Sequence, residues 1–284
     1  NNNLLDNKNN FDLSHVDLRW TNHCNQACVY CSPEYSSKWA TELGKTIKSN
    51  KQAKDQVKKY VFKNIKKLKN IYLAGGEPML MNDNKEFLTL LLEHNPDVHI
   101  RVNTNLSSTK TGVFQLLCKF KNVHWTVSVE SMDKEYEYIR YHGSWKDFIK
   151  NLKHIQTLNH KISFNMLYFI LNYKSIFDCI DYFKSIGFHN NSFILGPLIY
   201  PLFFDVRHLP KNIKKEVITM FENKIAEQPG FYLQNSLENC LKYLTEDGFN
   251  ANIELTRQNI KKMDLRRKLD SEKVFPELYK EVLN

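Results

Sequence analysis

Three of the six cysteines fall in one short loop, Cys24-Asn-Gln-Ala-Cys28-Val-Tyr-Cys31. Three thiolates this close can hold one face of an iron–sulfur cubane, and a cubane held by three cysteines instead of four leaves one iron open for chemistry. Other readings fit less well. A structural zinc ion needs four ligands, and His23, next to Cys24, would have to share the metal in a cramped geometry. A disulfide framework would leave one of the three thiols unpaired, and nothing in the chain reads as a secretory signal.

A second motif lies further along. Ile71-Tyr72-Leu73-Ala74 is a short apolar run that reads as a buried strand and ends in Gly75-Gly76-Glu77-Pro78. Two glycines let a backbone approach a ligand closely, Glu77 offers a carboxylate and Pro78 stiffens the exit. Taken alone, the same turn also suits an ordinary strand-to-helix connection.

The cysteine loop with an aromatic residue just before its last cysteine, followed by Gly-Gly-Glu-Pro, resembles the radical S-adenosylmethionine (SAM) superfamily. The resemblance implies a 4Fe-4S cluster held by Cys24, Cys28 and Cys31, with SAM chelating the open iron. It implies reductive cleavage of SAM to methionine and a 5′-deoxyadenosyl radical that abstracts hydrogen from a substrate. On the same resemblance Tyr30 flanks the adenine, and the turn formed by Gly75, Gly76, Glu77 and Pro78 receives the methionine amino group.

The fold that goes with it is α/β, a partial (β/α)6 TIM-like barrel of parallel strands. Asp17-Leu18-Arg19-Trp20 leads into the cysteine loop as a first strand, and Val57, Val61, Ile65 and Leu68 recur at helical spacing before the strand at Ile71. Phe87 to Leu92 is a helical stretch, and Val98-His99-Ile100-Arg101-Val102 alternates like a strand. Leu116, Leu117 and Phe120 suggest the next helix, and Trp125 to Val129 the fourth strand. A helix near Phe148 to Leu158, a strand from Ile162 to Ile170, a helix from Ile176 to Ile186 and a strand at Phe193 complete six alternations.

Ligand residues in such a barrel lie at the carboxyl ends of strands. Asn103 and Asn105 follow the third strand, Ser128 and Glu130 end the fourth, and Asn165 interrupts the apolar fifth. The resemblance implies contacts of these positions with the SAM ribose and carboxylate or with substrate; many members have aspartate where this chain has Glu130. Arg140 resembles an arginine that pairs with the SAM carboxylate, for which a two-armed guanidinium is suited. The bland alternatives are turn asparagines and a surface salt bridge.

At 284 residues the chain can bury one large core with room for an added segment, so residues 1–205 are read as the barrel and 206–284 as a helical C-terminal extension. Pro210 starts a helix carrying Ile213, Val217, Phe221 and Ile225; others span Leu233 to Leu244 and Ile253 to Leu269. Only Cys240 lies in that region, which excludes an auxiliary cluster with four local cysteines; the tail from Leu265 to Leu278 is similar to those of twitch-type radical SAM proteins. Cys118, Cys179 and Cys240 sit among apolar residues and read as buried structural thiols.

No apolar run approaches the roughly 20 residues that span a bilayer, so no membrane partner is expected. Cysteine usage points to a reducing, cytoplasmic setting. The first residue is not methionine, which fits a processed or trimmed chain. Of the net charge of +9, the densest part is Lys45 to Lys69, where Lys58, Lys59, Lys63, Lys66 and Lys67 surround the apolar stripe as the solvent face of one helix. An acidic reductant such as flavodoxin or ferredoxin fits that face, whereas a nucleic-acid partner is less favoured because no binding motif accompanies it. The substrate stays open among peptides, nucleosides and sugars. The competing functions are a non-catalytic iron–sulfur or zinc scaffold and an RNA-modifying radical enzyme.

Overall fold

A computed structural model of the chain describes residues 13–47, 50–227 and 231–283. Lys48, in the basic stretch, and residues 1–12 and 284 at the ends of the two expected segments lie outside the described residues. The barrel elements run β1 (His15–Leu18), α1 (Ser37–Glu42), α2 (Lys51–Lys63), β2 (Asn70–Leu73), α3 (Asn82–His94), β3 (His99–Thr104), α4 (Gly112–Leu117), β4 (Val123–Ser128), α5 (Asp133–Ile139), α6 (Trp145–Gln156), β5 (Lys161–Tyr168), α7 (Ser175–Ser185) and β6 (Phe193–Pro197). After them come α8 (Lys211–Ala226), α9 (Phe231–Thr245), α10 (Ile253–Arg267), α11 (Ser271–Val274) and α12 (Pro276–Leu278).

The six strands are parallel and lie in chain order, β1-β2-β3-β4-β5-β6, an open sheet that forms a partial barrel. Alternation decides its two faces, since successive side chains point opposite ways. Ile71, Leu73, Ile100, Val102, Trp125, Val127, Phe164 and Met166 are buried against the helices. Phe164 stacks on Phe183 of α7 with centroids 4.2 Å apart, and burying such a ring contributes about 1.5–3 kcal/mol. The intervening positions are polar. Register aligns Asp17, Tyr72, Arg101, His124 and Lys161 across five strands, then Asn103, Thr126 and Ser163, then Ser128 and Asn165. The concave face is therefore a ladder of polar rows.

Local signals fix the helices. In α6 the Ser144 hydroxyl accepts from the Asp147 amide as N-cap, Asp147 stands in the first turn and Lys153 in the last, and Phe148, Asn151, Leu152 and Ile155 form the buried stripe. The stripe expected from Val57 to Leu68 is corrected. Helix α2 ends at Lys63, Asn64 turns its amide back onto the Tyr60 carbonyl, and Ile65–Lys67 form a separate 3-10 turn. Val57 is exposed, and Val61 is the buried residue of α2. Its solvent face is also partly tied down, because Lys54 and Lys58 pair with Asp83, and Lys58 with Glu86, on α3. The first strand starts and ends two residues earlier than the expected span, and Trp20 turns inward to donate to Asn84 Oδ1 at 2.8 Å.

The chain beyond residue 205 is helical, and its apolar residues join the core of the barrel. Phe221 of α8 meets Tyr168 and Phe177 edge-on, and α9 packs on β6. Cys179 and Cys240 are buried and Cys118 is half-buried; all six cysteines are free. The tail from α10 onward returns to the start of the chain. Tyr138 donates to Asp264 at 2.8 Å, and Arg266 and Arg267 both reach Glu42 of α1. Among the described residues no helix is long and apolar enough to cross a membrane.

Candidate active site

The cysteine loop joins β1 to α1 and has almost no helix or sheet of its own, so its backbone groups must be satisfied from outside. They are. The Ala27 amide donates to the Tyr141 carbonyl at 3.0 Å and that of Val29 to Ile139 at 2.8 Å, which fastens the loop to the end of α5. The Trp39 indole donates to the Cys28 carbonyl and the Ser36 hydroxyl to that of Gln26, both at 2.6 Å. The amide of Cys31 closes a tight turn on the Cys28 carbonyl at 2.9 Å.

The Gly75–Pro78 turn lies against this loop. Gly75 has φ +113°, and a β-carbon on Gly76 would stand 2.2 Å from the His23 carbonyl oxygen. The close approach that the glycines allow is thus to the loop backbone, sealed by hydrogen bonds from the amides of Gly76 to Thr21 (3.2 Å) and Glu77 to His23 (2.7 Å). The Glu77 carboxylate accepts from the Thr104 hydroxyl (2.7 Å), the Asn105 amide (2.7 Å) and the Met79 amide (3.1 Å). Burial pushes its pKa up while those donors pull it down. It works as a strut between the turn and the end of β3. Pro78 heads the 3-10 turn Pro78–Leu80 and does not border the cavity described next.

A cavity of about 180 Å³ opens between these segments. Its walls bring together Cys24, Cys28 and Cys31 with Tyr30, Gly75, Gly76, Glu77, Asn103, Asn105, Ser128, Glu130, Arg140 and Asn165. Every site residue expected from sequence except Pro78 is there. Burial pushes the Cys24 and Cys31 thiols up to about 12, with Cys28 adding to the effect, and burial raises Cys28 as well against the pull of Arg140. His23, the fourth ligand of the zinc alternative, contributes its carbonyl to the turn instead. Among the described residues no three His, Cys, Asp or Glu side chains converge as ligands of one ion would.

Arg140 is buried, so the surface salt-bridge alternative is corrected. Its Nε and Nη2 hold Glu130 at 2.7 and 2.6 Å, Nη2 also meets the Tyr30 hydroxyl at 2.7 Å, and Nη1 lies 3.8 Å from Cys28 Sγ. Tyr30 donates to Glu130 at 2.9 Å and sets its ring edge-on to Phe169. Asn105 donates to Asn25 at 3.0 Å and lies 3.9 Å from Cys24 Sγ. One polar atom of the cavity wall, Asn103 Oδ1, is buried without a partner, whereas the Gln26 amide faces the buried Tyr136 hydroxyl. A buried acceptor left open costs free energy unless a ligand uses it. Three thiols, a glycine turn and an unpartnered buried oxygen fit a thiolate-held cluster with a polar ligand beside it.

Further down the concave face, toward the amino ends of the strands, a larger cavity of about 960 Å³ is lined by His15, Tyr72, Arg101, Lys121, His124 and Lys161, among others. Asp17 is already paired with Arg19 at 2.9 Å. Among the described residues Arg101, Lys121 and Lys161 have no carboxylate partner; Arg101 donates to Thr126 at 2.8 Å. Burial lowers the His124 pKa to about 4, with Arg101 and Lys161 adding to the shift. This cationic floor, Gln26 and Arg267 are absent from the sequence-derived site. The floor announces itself only as alternate polar positions in several strands.

The sequence model of the Radical SAM superfamily matches residues 18–183, more than half of the chain. The GTP 3′,8-cyclase of Sulfurimonas denitrificans is 26% identical over 183 residues, covering 62% of this chain and 53% of that protein. The GTP 3′,8-cyclase of Campylobacter lari is 26% identical over 98 residues, covering 34% of this chain and 29% of its own. The chain thus spans about half or less of the length of the curated relatives it matches. Among solved structures, native anSMEcpe with bound AdoMet superposes with a TM-score of 0.56 at 16% identity, covering 76% of this chain and 61% of that one. SuiB of Streptococcus suis bound to S-adenosylmethionine gives 0.53 at 15% identity, covering 79% and 52%. Both share the partial-barrel fold.

Proposed function

The chain belongs to the radical SAM superfamily, and from that membership we propose an enzyme that cleaves SAM reductively and abstracts hydrogen from an anionic substrate seated on the concave face of the sheet. The observation that carries this reading is the meeting of Cys24, Cys28 and Cys31 with the Gly75–Gly76 turn and the unpartnered Asn103 Oδ1 around one cavity. The family uses a 4Fe-4S cluster and SAM, and the three thiolates would hold the cluster. When bound, the pair supplies a 5′-deoxyadenosyl radical.

The chain's own residues then have separate tasks. Glu77 and the two glycines keep the turn against the loop. Asn103 Oδ1 offers an acceptor to a ligand in the cavity. Ser128 and Asn165, paired across β4 and β5, stand at the end of the polar ladder nearest the thiols. Arg101, Lys121 and Lys161 at its other end favour phosphate or carboxylate, because unpaired cations in a concave surface focus their field. Since the curated relatives are named for a nucleoside triphosphate, GTP is the first substrate to try. A reductant such as flavodoxin or ferredoxin would supply the electron in the cell.

The test is anaerobic reconstitution with iron and sulfide, then dithionite and SAM, with chromatographic detection of 5′-deoxyadenosine against a Cys28→Ala control. Product in the wild type and not in the control is expected. A well-formed cluster that binds SAM but never cleaves it, with GTP, guanosine or a peptide present, would instead favour a non-catalytic cluster protein.

A further inference from the structure

Arg267 ends α10, and its side chain is 1% exposed. Nη2 donates to the Ala27 carbonyl at 2.8 Å, inside the cysteine loop and 240 residues away in sequence. Nε lies 3.1 Å from Glu42 Oε1. The guanidinium carbon sits 4.6 Å from the Trp39 ring centroid and 4.5 Å from that of Tyr141. Both rings belong to residues that hold the loop: Trp39 donates to the Cys28 carbonyl at 2.6 Å, and the Tyr141 carbonyl accepts from the Ala27 amide at 3.0 Å. One side chain from the tail is thus wedged among the supports of the loop that carries the three thiols.

The charges do not cancel. Glu42 is one carboxylate shared by Arg266 and Arg267, so the cluster of three groups keeps one positive charge, and Arg267 Nη1 is buried with no partner. The cation is held by two aromatic faces, an arrangement that favours a desolvated guanidinium.

We propose that Arg267 is a positioning residue for the cysteine loop: through the Ala27 carbonyl it fixes the backbone around Cys28, and its charge raises the reduction potential of a cluster held by Cys24, Cys28 and Cys31. This rests on the cluster reading above. The sign follows from electrostatics, because reduction adds an electron and a nearby fixed cation stabilises the more negative state. The C-terminal helices would then be part of the redox site and not only a cover for the barrel.

The reconstituted protein tests both halves. Arg267→Met and Arg267→Lys are compared with wild type by hydrogen exchange of the amides from residue 26 to 31 and by EPR-monitored redox titration of the cluster. Arg267→Met is expected to speed loop exchange about ten- to hundred-fold, the effect of losing one charge-assisted hydrogen bond, and to shift the midpoint potential downward. Arg267→Lys keeps the charge without the fork, so it restores the potential while exchange stays fast. An unchanged potential in Arg267→Met, or faster exchange spread equally over β3 and β4, overturns the proposal. Should Arg267→Met not fold, loop exchange in Arg267→Lys decides alone, and wild-type protection there overturns it. Failure to form any cluster in the wild type would count against the cluster reading, and the exchange result would still bear on the positioning role.

Discussion

Glu130 and Arg140 form a two-armed ion pair sealed inside the cavity wall, with oxygen–nitrogen distances of 2.7 and 2.6 Å and residue exposures of 1% and 3%. The pair is anchored on both sides. Tyr30 bonds to each partner, and Asn172 donates to the Glu130 backbone carbonyl at 2.9 Å. The free arm of Arg140 faces Cys28. With Nε and Nη2 already committed to Glu130, the guanidinium acts as a fixed positive wall beside the thiol more than as a free clamp for a carboxylate.

Removing one partner leaves the other charge buried and unpaired, which costs about 3–5 kcal/mol. Glu130→Ala is therefore expected to lower the melting temperature by about 10 °C, at a few degrees per kcal/mol for a chain of this size. The double change Glu130→Leu with Arg140→Met should recover most of that loss, since no charge is stranded. Anaerobic thermal melts of the single and double variants check this. A double variant no more stable than Glu130→Ala would show that the pair's worth is not desolvation avoided.

Gly76→Ala places a methyl group 2.2 Å from the His23 carbonyl oxygen and 2.6 Å from the Asn22 carbonyl carbon. Both are backbone atoms, so relief requires the loop before Cys24 to move. We expect destabilisation of about 1–3 kcal/mol and at least a tenfold weaker affinity for SAM in the reconstituted protein. Gly196→Ala, where a β-carbon meets nothing within 4 Å, is the matched control and should change neither. Equilibrium dialysis with SAM and urea melts separate the two variants.

What could be read from the sequence was chemistry written in consecutive residues. The cysteine loop and Gly75 to Pro78 are such segments, and the strand–helix alternation followed from periodicity. Residues assembled across the fold were harder. His99-Ile100-Arg101-Val102 visibly alternates, but only register shows that Arg101 stands beside His124, and His124 beside Lys161, as one basic row. The apolar stripe from Val57 to Leu68 does not make one helix, because Asn64 competes for the backbone and stops it after Lys63, an effect that spacing does not reveal. Arg267 could not be placed at all, since nothing local in the tail points to Ala27.

The basic row makes a prediction about ligands. Arg101→Glu combined with Lys161→Glu should weaken binding of inorganic tripolyphosphate by more than about tenfold, since a hydrogen bond to a charged group contributes about 1.5–3 kcal/mol. SAM cleavage without substrate should persist, because neither residue borders the thiol cavity. Reversal of Lys59 and Lys63 on α2 is the control for net charge. Calorimetric titration at two ionic strengths decides; equal weakening by both pairs would reduce the effect to overall charge.

His124 supplies a pH signature of the same face. Its ring bonds to the Ser163 hydroxyl at 2.8 Å, and burial together with Arg101 and Lys161 brings its pKa down to about 4. In the unfolded chain the ring takes up a proton as pH falls through its ordinary value near 6.5, whereas the folded protein leaves it neutral until about 4. Between those values the unfolded state binds more protons, so stability falls with pH, and below about 4 the contribution stops growing. His124 is only partly buried, so we expect only about 1 kcal/mol from this source after screening. Urea melts at pH 7 and pH 5 should therefore show a larger loss for wild type than for His124→Gln, which keeps a polar contact to Ser163 without the titration. Tripolyphosphate on the basic row would offset the neighbouring cations and raise the His124 pKa, so the ring's NMR titration should move upward when it is added. A titration that does not move would place the anion elsewhere.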